Sequence, residues 1–293
     1  MPTTFSFSAL DPSQFPNWTF ENIELEFDTL SGALWMYYKR EAPPYYSLQT
    51  LNDIASLRES MWALMRAGEA KDFPLRYLVM ASRKPGVFNL GGDLAMFAQS
   101  IRDKKQDTLR MYAHACVDLV YGLATGFGLP LLTVAVVAGK ALGGGFECAL
   151  AQDFLIAEET AKMGVPEVAF NTFPGMGAIT LLSRRLGTAQ AEDMISSGTT
   201  YTSRRMFDMG VVDLLAPEGR SQETAQEWLR EGGSKRFDRR LQIAQTRRRI
   251  FPVSREELIK ITDLWVSCSL DVTAQDIRHM ERLAAAQKRI LAE

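Results

Sequence analysis

Two glutamates stand out by their neighbours. Glu147 lies in Leu142-Gly143-Gly144-Gly145-Phe146-Glu147-Cys148-Ala149-Leu150 and is the one acid between Asp118 and Asp153. Glu167 lies in Met163-Gly164-Val165-Pro166-Glu167-Val168-Ala169-Phe170, directly after a proline that stiffens the turn. A carboxyl among apolar neighbours is desolvated. Its charged form is disfavoured, so its pKa moves toward the range a general acid or base needs. As a pair, one can take a proton while the other gives one. Glycines supply the second ingredient. Each of three in succession costs roughly 1 kcal/mol relative to alanine inside a helix, so Gly143, Gly144 and Gly145 make sense where a helix starts or where backbone must approach a ligand. Free N–H groups there carry partial positive charge and suit a developing oxyanion. A second glycine turn, Val87-Phe88-Asn89-Leu90-Gly91-Gly92-Asp93-Leu94, offers the same at another strand-to-helix junction. Each turn could lend one donor to a single carbonyl oxygen. The plainer readings are a solvated Glu147 on a tight turn, a salt-bridged Glu167 on a loop, and Asp93 as a helix N-cap.

These residues need a frame. Residues 23–27 and 33–38 read as strands, rich in aromatic and branched side chains, with a turn at 28–32. Residues 47–68 read as a helix, because Leu51, Ile54, Leu57, Met61, Leu64 and Met65 recur at three and four and Gly68 sits at the stop. Strands follow at 77–81, 131–138 and 154–157, and a helix at 107–121. The second of these strands is apolar almost throughout, as a parallel sheet covered on both faces requires. Such alternation implies an α/β core. No GxGxxG follows the first strand, which disfavours a dinucleotide fold. Thr172-Phe173-Pro174-Gly175-Met176-Gly177-Ala178 is a Pro-Gly turn before a helix, or one wall of a substrate pocket. From residue 222 onward, four helical stretches (222–231, 235–250, 254–270 and 274–291) run without strands between them. The chain thus divides into an arm over 1–20, a core over 21–220 and a helical C-terminal portion over 221–293 that packs on the core, as a lid, or on a neighbouring subunit.

Composition narrows the function classes. The chain has 293 residues, 33 Lys and Arg against 35 Asp and Glu, and a formal net charge of -2. That balance argues against a nucleic-acid binder, whose footprint would be basic. No apolar run approaches the ~20 residues of a membrane span, and the first residues carry no signal-peptide pattern. Three scattered cysteines and two histidines exclude a disulfide framework and a His-rich metal site. The expected address is cytoplasmic, with no metal and no cofactor. Lys235, Arg236, Arg239, Arg240 and Arg247 to Arg249 form a basic stretch, read either as a solvated face or as a dock for an acidic partner. His114 reads as structural. Cys148 has no histidine near it in sequence and makes a poor thiol nucleophile.

The motifs also carry a resemblance. Phe88-Asn89-Leu90-Gly91-Gly92-Asp93-Leu94, Ala141-Leu142-Gly143-Gly144-Gly145-Phe146-Glu147, Gly164-Val165-Pro166-Glu167, Phe173-Pro174-Gly175-Met176-Gly177 and Met209-Gly210-Val211-Val212-Asp213 stand in one order. In that order they resemble the crotonase (enoyl-CoA hydratase/isomerase) superfamily. Within it, Asn89-Leu90-Gly91-Gly92, Phe146-Glu147-Cys148-Ala149-Leu150, Phe170-Asn171-Thr172-Phe173 and Ile261-Thr262-Asp263-Leu264-Trp265-Val266 look like the diffusible-signal-factor synthases of bacterial quorum sensing. The likeness continues through Arg278-His279-Met280-Glu281-Arg282-Leu283 and Ala286-Gln287.

The resemblance implies a spiral of ββα turns with C-terminal helices that support a trimeric or hexameric homo-oligomer. It implies a thioester substrate, on acyl carrier protein or coenzyme A, whose carbonyl is held by the N–H groups of Leu90 (or Gly91) and Gly144. It makes Glu147 and Glu167 the acid/base pair. The implied reaction is dehydration of a 3-hydroxyacyl thioester to the cis-2-enoyl thioester, then hydrolysis to the free acid. The receiver domain of a sensor kinase is the implied partner. Met96, Phe97, Val168, Phe170, Phe173, Met176 and Trp265 are candidate acyl-pocket residues. Two rivals stand beside this reading: a conventional enoyl-CoA hydratase of fatty-acid metabolism, and a non-catalytic scaffold that binds a receiver domain or RNA.

Overall fold

The computed structural model describes residues 17–66 and 75–292. Most of the expected arm, and Gly68 as a helix stop, lie outside the described residues. The chain opens with a hairpin, β1 (Ile23–Asp28) against β2 (Ala33–Tyr38), with Ile23 opposite Tyr38. The Ser47 hydroxyl accepts the Thr50 N–H and starts α1 (Leu48–Arg66), which buries Leu51, Ile54, Leu57, Met61 and Leu64. That is the spacing the sequence displays.

Three rungs of one pattern follow. β3 (Tyr77–Ser82) and β4 (Val87–Asn89) lead into α2 (Leu94–Arg102) and α3 (Gln106–Thr125). β5 (Leu132–Val137) and β6 (Lys140–Leu142) lead into α4 (Gly144–Ala151). β7 (Phe154–Glu158) and β8 (Lys162–Gly164) lead into a 3₁₀ turn (Pro166–Phe170), α5 (Ala178–Leu186) and α6 (Thr188–Ser197). Each rung gives its first strand to a six-stranded sheet, ordered β1-β2-β3-β5-β7-β10, and its second to a four-stranded sheet, ordered β4-β6-β8-β9. Here β9 is Tyr201–Thr202 and β10 is Leu214–Ala216, with α7 (Ser203–Asp208) between them. The large sheet is parallel from β2 to β10. This is the ββα spiral that the resemblance implies. The small sheet is an addition to the elements expected from periodicity.

Successive rungs stack closely at their corners. Gly139 has φ +98°, and a Cβ there would lie 2.1 Å from the Gly86 backbone. No other residue fits. The Lys140 N–H donates to the Gly86 carbonyl, and the Lys162 N–H to the Gly139 carbonyl, at 2.9 and 3.0 Å.

Both faces of the large sheet are covered. Leu34, Met36 and Tyr38 point into the main core with α1, α3 and α4, while Ala33, Trp35 and Tyr37 point to a second cluster. That cluster is closed by α8 (Ser221–Arg230) and α9 (Gly233–Ile250) through Leu229, Phe237 and Ala244. Burial on both faces is why β2 and β5 read as continuous apolar runs. The chain finishes with α10 (Arg255–Ser269), packed on α3, and α11 (Ala274–Ala292), packed on α2. Among the described residues no helix is long and apolar enough to cross a membrane.

The basic stretch fits neither of its sequence readings at Arg240 and Arg248, and Arg247, though half exposed, is ion-paired. Arg247 and Arg248 both reach the buried carboxylate of Asp153, at 3.0 and 2.6 Å. Asp153 also accepts the Thr133 N–H at 3.0 Å. Arg240 lies 3.6 Å from the centroid of the Trp228 ring and donates to the Trp228 carbonyl. Arg247 and Arg248 fasten α9 to the start of β7, through an acid distant in sequence, and Arg240 fastens it to the preceding helix α8. His114 Nε2 pairs with Asp263 at 2.8 Å and ties α3 to α10, the structural role expected of it.

Candidate active site

Glu147 sits in the first turn of α4, a helix buried along its whole length. Gly143, with φ +52°, turns the chain from β6 into that helix. Close packing explains the next glycine but one: a Cβ on Gly145 would lie 2.2 Å from the Asn89 carbonyl oxygen. Glu147 is 1% exposed. Its Oε1 accepts the N–H groups of Met176 and Ala178, both at 2.9 Å. Burial pushes the carboxyl up from its ordinary range, and the N–H groups of Ala178, Met176 and Gly177 oppose that rise by favouring the anion.

Glu167 stands on the 3₁₀ turn after β8, which ends at Asn171 with φ +55°. Its Oε1 lies against Gly143, where a Cβ would come within 2.6 Å. Its Oε2 is inaccessible to solvent and has no hydrogen-bond partner. Burial pushes this carboxyl up as well, and the charge of Glu147 pushes it further. The two carboxyls are therefore unlike. Glu147 has backbone donors that stabilise its anion, and Glu167 has an uncompensated oxygen beside a like charge. One proton is best held on Glu167 with Glu147 ionised, which is an acid and a base side by side.

The backbone donors differ from those expected at one of the two turns. The Leu90 N–H is spent on the Pro44 carbonyl at 2.7 Å. The Gly91 N–H is spent on Asn89 Oδ1 at 2.8 Å. Neither is free to bind a carbonyl oxygen. Among the described residues the N–H groups left without a partner at these turns include those of Gly92 and Gly144, and both residues line one cavity. The turns touch, since a Cβ on Gly91 would be 2.9 Å from the Gly144 nitrogen. The Gly144 N–H is thus free, as a donor there requires, and at the first turn the free N–H is that of Gly92, not that of Leu90 or Gly91. Asp93 caps α2 by accepting the Met96 N–H at 3.0 Å, its plainer role.

The cavity has a volume of about 310 Å³ and is bounded by both glutamates and both glycine turns. Of the expected pocket residues, Phe97, Phe170, Met176 and Trp265 line it. Met96, Val168 and Phe173 do not. The Met96 sulfur instead accepts from the Ser100 hydroxyl one turn along α2. Val168 packs toward Gly198 at the end of α6, and Phe173 lies half-buried on the main core. The aromatic wall is ordered edge to face: the Phe97 ring centroid is 5.2 Å from those of Tyr112 and Trp265. Sequence reasoning missed Tyr112, Cys116, Leu283, Ala286, Gln287 and Ile290. The last four recur at the helical spacing of one face of α11. That stripe is visible in the sequence, but what it covers is not. Burial raises the thiols of Cys116 and Cys148 well above their ordinary value, which makes neither a nucleophile. Among the described residues no group of three His, Cys, Asp or Glu side chains is placed to hold a metal ion.

Comparison with known proteins bears on this arrangement. The family model described as Enoyl-CoA hydratase/isomerase matches residues 53–246. The alpha subunit of a fatty acid oxidation complex from Vibrio cholerae is 28% identical over 238 residues, which cover 78% of this chain and 30% of that protein. An enoyl-CoA isomerase/hydratase of Mycosarcoma maydis is 34% identical over 159 residues, 54% of this chain and 55% of its own. The chain thus spans about half the length, or less, of these curated relatives. An enoyl-CoA hydratase from Bacillus halodurans shares the fold, with a TM-score of 0.70 over 89% of this chain and 100% of its own, at 21% identity.

Proposed function

Because the chain belongs to the enoyl-CoA hydratase/isomerase family, we propose that it adds or removes water across C2 and C3 of an acyl thioester. The observation that carries this is the pair of unlike buried carboxyls on one cavity beside unpartnered N–H groups from two turns. In the dehydrating direction the thioester oxygen accepts from the N–H groups of Gly92 and Gly144. That polarisation acidifies C2 and stabilises the enolate. A carboxylate takes the C2 proton. The protonated partner delivers its proton to the C3 hydroxyl, the C3–O bond breaks, and water leaves as the C2–C3 double bond forms.

The finer reading is a signal synthase. Its substrate is a 3-hydroxyacyl chain on acyl carrier protein, and its product is the free cis-2-unsaturated acid. Release requires a second step in which a carboxylate takes a proton from water as its oxygen attacks the thioester carbon, and the C–S bond then breaks as that proton passes to the departing thiolate. The Asn89-Leu90-Gly91-Gly92 turn and the apolar, aromatic cavity support this reading. A homo-oligomer and the receiver domain of a sensor kinase as partner belong to the same proposal.

The test is product analysis by mass spectrometry and NMR after incubation with 3-hydroxydodecanoyl acyl carrier protein. Free cis-2-dodecenoic acid, absent with Glu147→Gln and with Glu167→Gln, is the expected result. A trans-2-enoyl thioester still on its carrier would make the protein a conventional hydratase. No turnover on carrier-protein or coenzyme A thioesters would overturn both readings.

A further inference from the structure

The turn that carries the Gly92 N–H is built from two successive glycines, and glycine backbone has little stiffness of its own. Gly91 moreover sits at φ +90°. What holds the turn is a set of bonds from outside it. The Gly91 carbonyl accepts the Tyr46 N–H at 2.8 Å. Because the peptide unit is planar and trans, that bond orients the Gly92 N–H on its opposite edge. The peptide units on either side present the carbonyl oxygens of Leu90 and Gly92. Among the described residues, those two oxygens have a single donor in common, Gln287 Nε2, at 3.4 and 3.0 Å.

Gln287 is 5% exposed and stands on α11, nearly two hundred residues away from the turn in sequence. Its neighbours on that helix face, Leu283, Ala286 and Ile290, line the cavity. The other end of α11 is fastened beside the second glutamate: Asn171 Nδ2, just past the 3₁₀ turn of Glu167, donates to Asp276 Oδ1 at 2.9 Å. The helix therefore spans from the Glu167 turn to the oxyanion turn. The N–H edges of the two flanking peptide units are held by Asn89 Oδ1 and by the Tyr112 hydroxyl, and the buried Gln287 amide closes their carbonyl edges, so displacement of the helix would leave each unit held at one edge and free to tilt.

We infer that Gln287 is a positioning residue: its amide clamps the Leu90 and Gly92 carbonyls, so that polarisation of the thioester depends on α11 being seated. The inference rests on the proposed thioester reaction. It assigns to the C-terminal helix a part in the chemistry itself, in addition to walling the pocket.

The experiment reads carbonyl polarisation apart from turnover. A cinnamoyl thioester, loaded on coenzyme A or on acyl carrier protein, absorbs at longer wavelength when its carbonyl is polarised. With the unaltered protein a red shift on binding is expected, and its absence with both carriers would overturn the thioester reading itself. Gln287→Met keeps the side-chain length and removes the donors. It should bind the probe within about threefold, lose most of the red shift, and lower kcat about tenfold or more with KM within about threefold. A folded Gln287→Met protein that keeps the shift and kcat overturns the inference. Should that variant fail to fold, Gln287→Asn carries the same test, because its amide is withdrawn by one methylene and the shift should fall. An Asn variant with the full shift overturns the inference. Lys288→Ala, at the exposed next position of the same helix and outside the cavity lining, should keep the shift. Loss of the shift there to the same extent would overturn the specific role of Gln287.

Discussion

Glu147→Gln separates proton transfer from architecture. The glutamine side chain has the same shape, and its oxygen can still accept from the Met176 and Ala178 N–H groups that hold Glu147 Oε1 at 2.9 Å. What disappears is the titrating group. General acid/base catalysis contributes about 10²–10⁴-fold, so kcat should fall by that factor, equivalent to about 3–5 kcal/mol in the barrier. Stability should hold or rise, because a carboxyl whose ionisation burial opposes has become a neutral amide. Glu147→Ala makes the contrast. It leaves two N–H groups unpaired inside a closed site, each costing about 1–3 kcal/mol, and adds a void. At roughly 2–4 °C per kcal/mol for a domain of this size, its melting temperature should drop by roughly 5–20 °C. The assay is steady-state dehydration of a 3-hydroxyacyl thioester beside thermal unfolding of the same preparations. A Gln variant within about fivefold of the parent kcat would remove Glu147 from proton transfer. Equal destabilisation by Gln and Ala would refute the account of the two N–H bonds.

Two further outcomes follow from groups already described. Glu147 and Glu167 hold their protons more tightly in the folded protein, so their contribution to stability is full below the ordinary glutamate range and is lost as pH rises through the raised values. Glu167→Gln should therefore gain in melting temperature over the parent as pH goes from about 5 to about 8, since the neutral amide has no ionisation to resist; a difference independent of pH would refute this. Asp153→Ala strands Arg248 and leaves the Thr133 N–H unpaired, so urea unfolding should show a loss of about 3–5 kcal/mol with kcat of the remaining folded protein unchanged; a loss under about 1 kcal/mol would mean that the Asp153 ion pairs do not hold α9.

The periodic elements were legible in the sequence because long amphipathic or continuously apolar stretches announce themselves. Residues 33–38 and 131–138 read as strands, and four helices read from 222 onward. β4, β6 and β8 did not read, because three residues beside a glycine turn are too few to show alternation. At the site, Glu147 and Glu167 were visible as acids in apolar company. The donor at the first glycine turn was legible only to within a residue or two. Which N–H stays free depends on Pro44, a bond with no trace in local sequence, and on the Asn89 side chain, whose bond two residues ahead is an Asx-type turn that the Asn89-Leu90-Gly91 spacing could have signalled. The basic stretch misled for a similar reason. Its composition suggests a charged surface, but Asp153 and Trp228, which lie outside the stretch, decide that Arg248 and Arg240 turn inward and that the half-exposed Arg247 is ion-paired.

The spiral has a kinetic consequence. Its parallel pairings join residues far apart in the chain: Tyr77 lies opposite Leu132, and Leu214 opposite Ile156. Each closes a loop that contains the helices between its strands, and the entropy of closing such loops is spent before the contact returns anything. The candidate site draws one part from each rung, with Gly92 after β4, Glu147 after β6 and Glu167 after β8. No single rung therefore holds a working fragment. During refolding, helix content can return rung by rung, whereas a cavity with both carboxyls and both turns exists only once the third rung has docked on the first two.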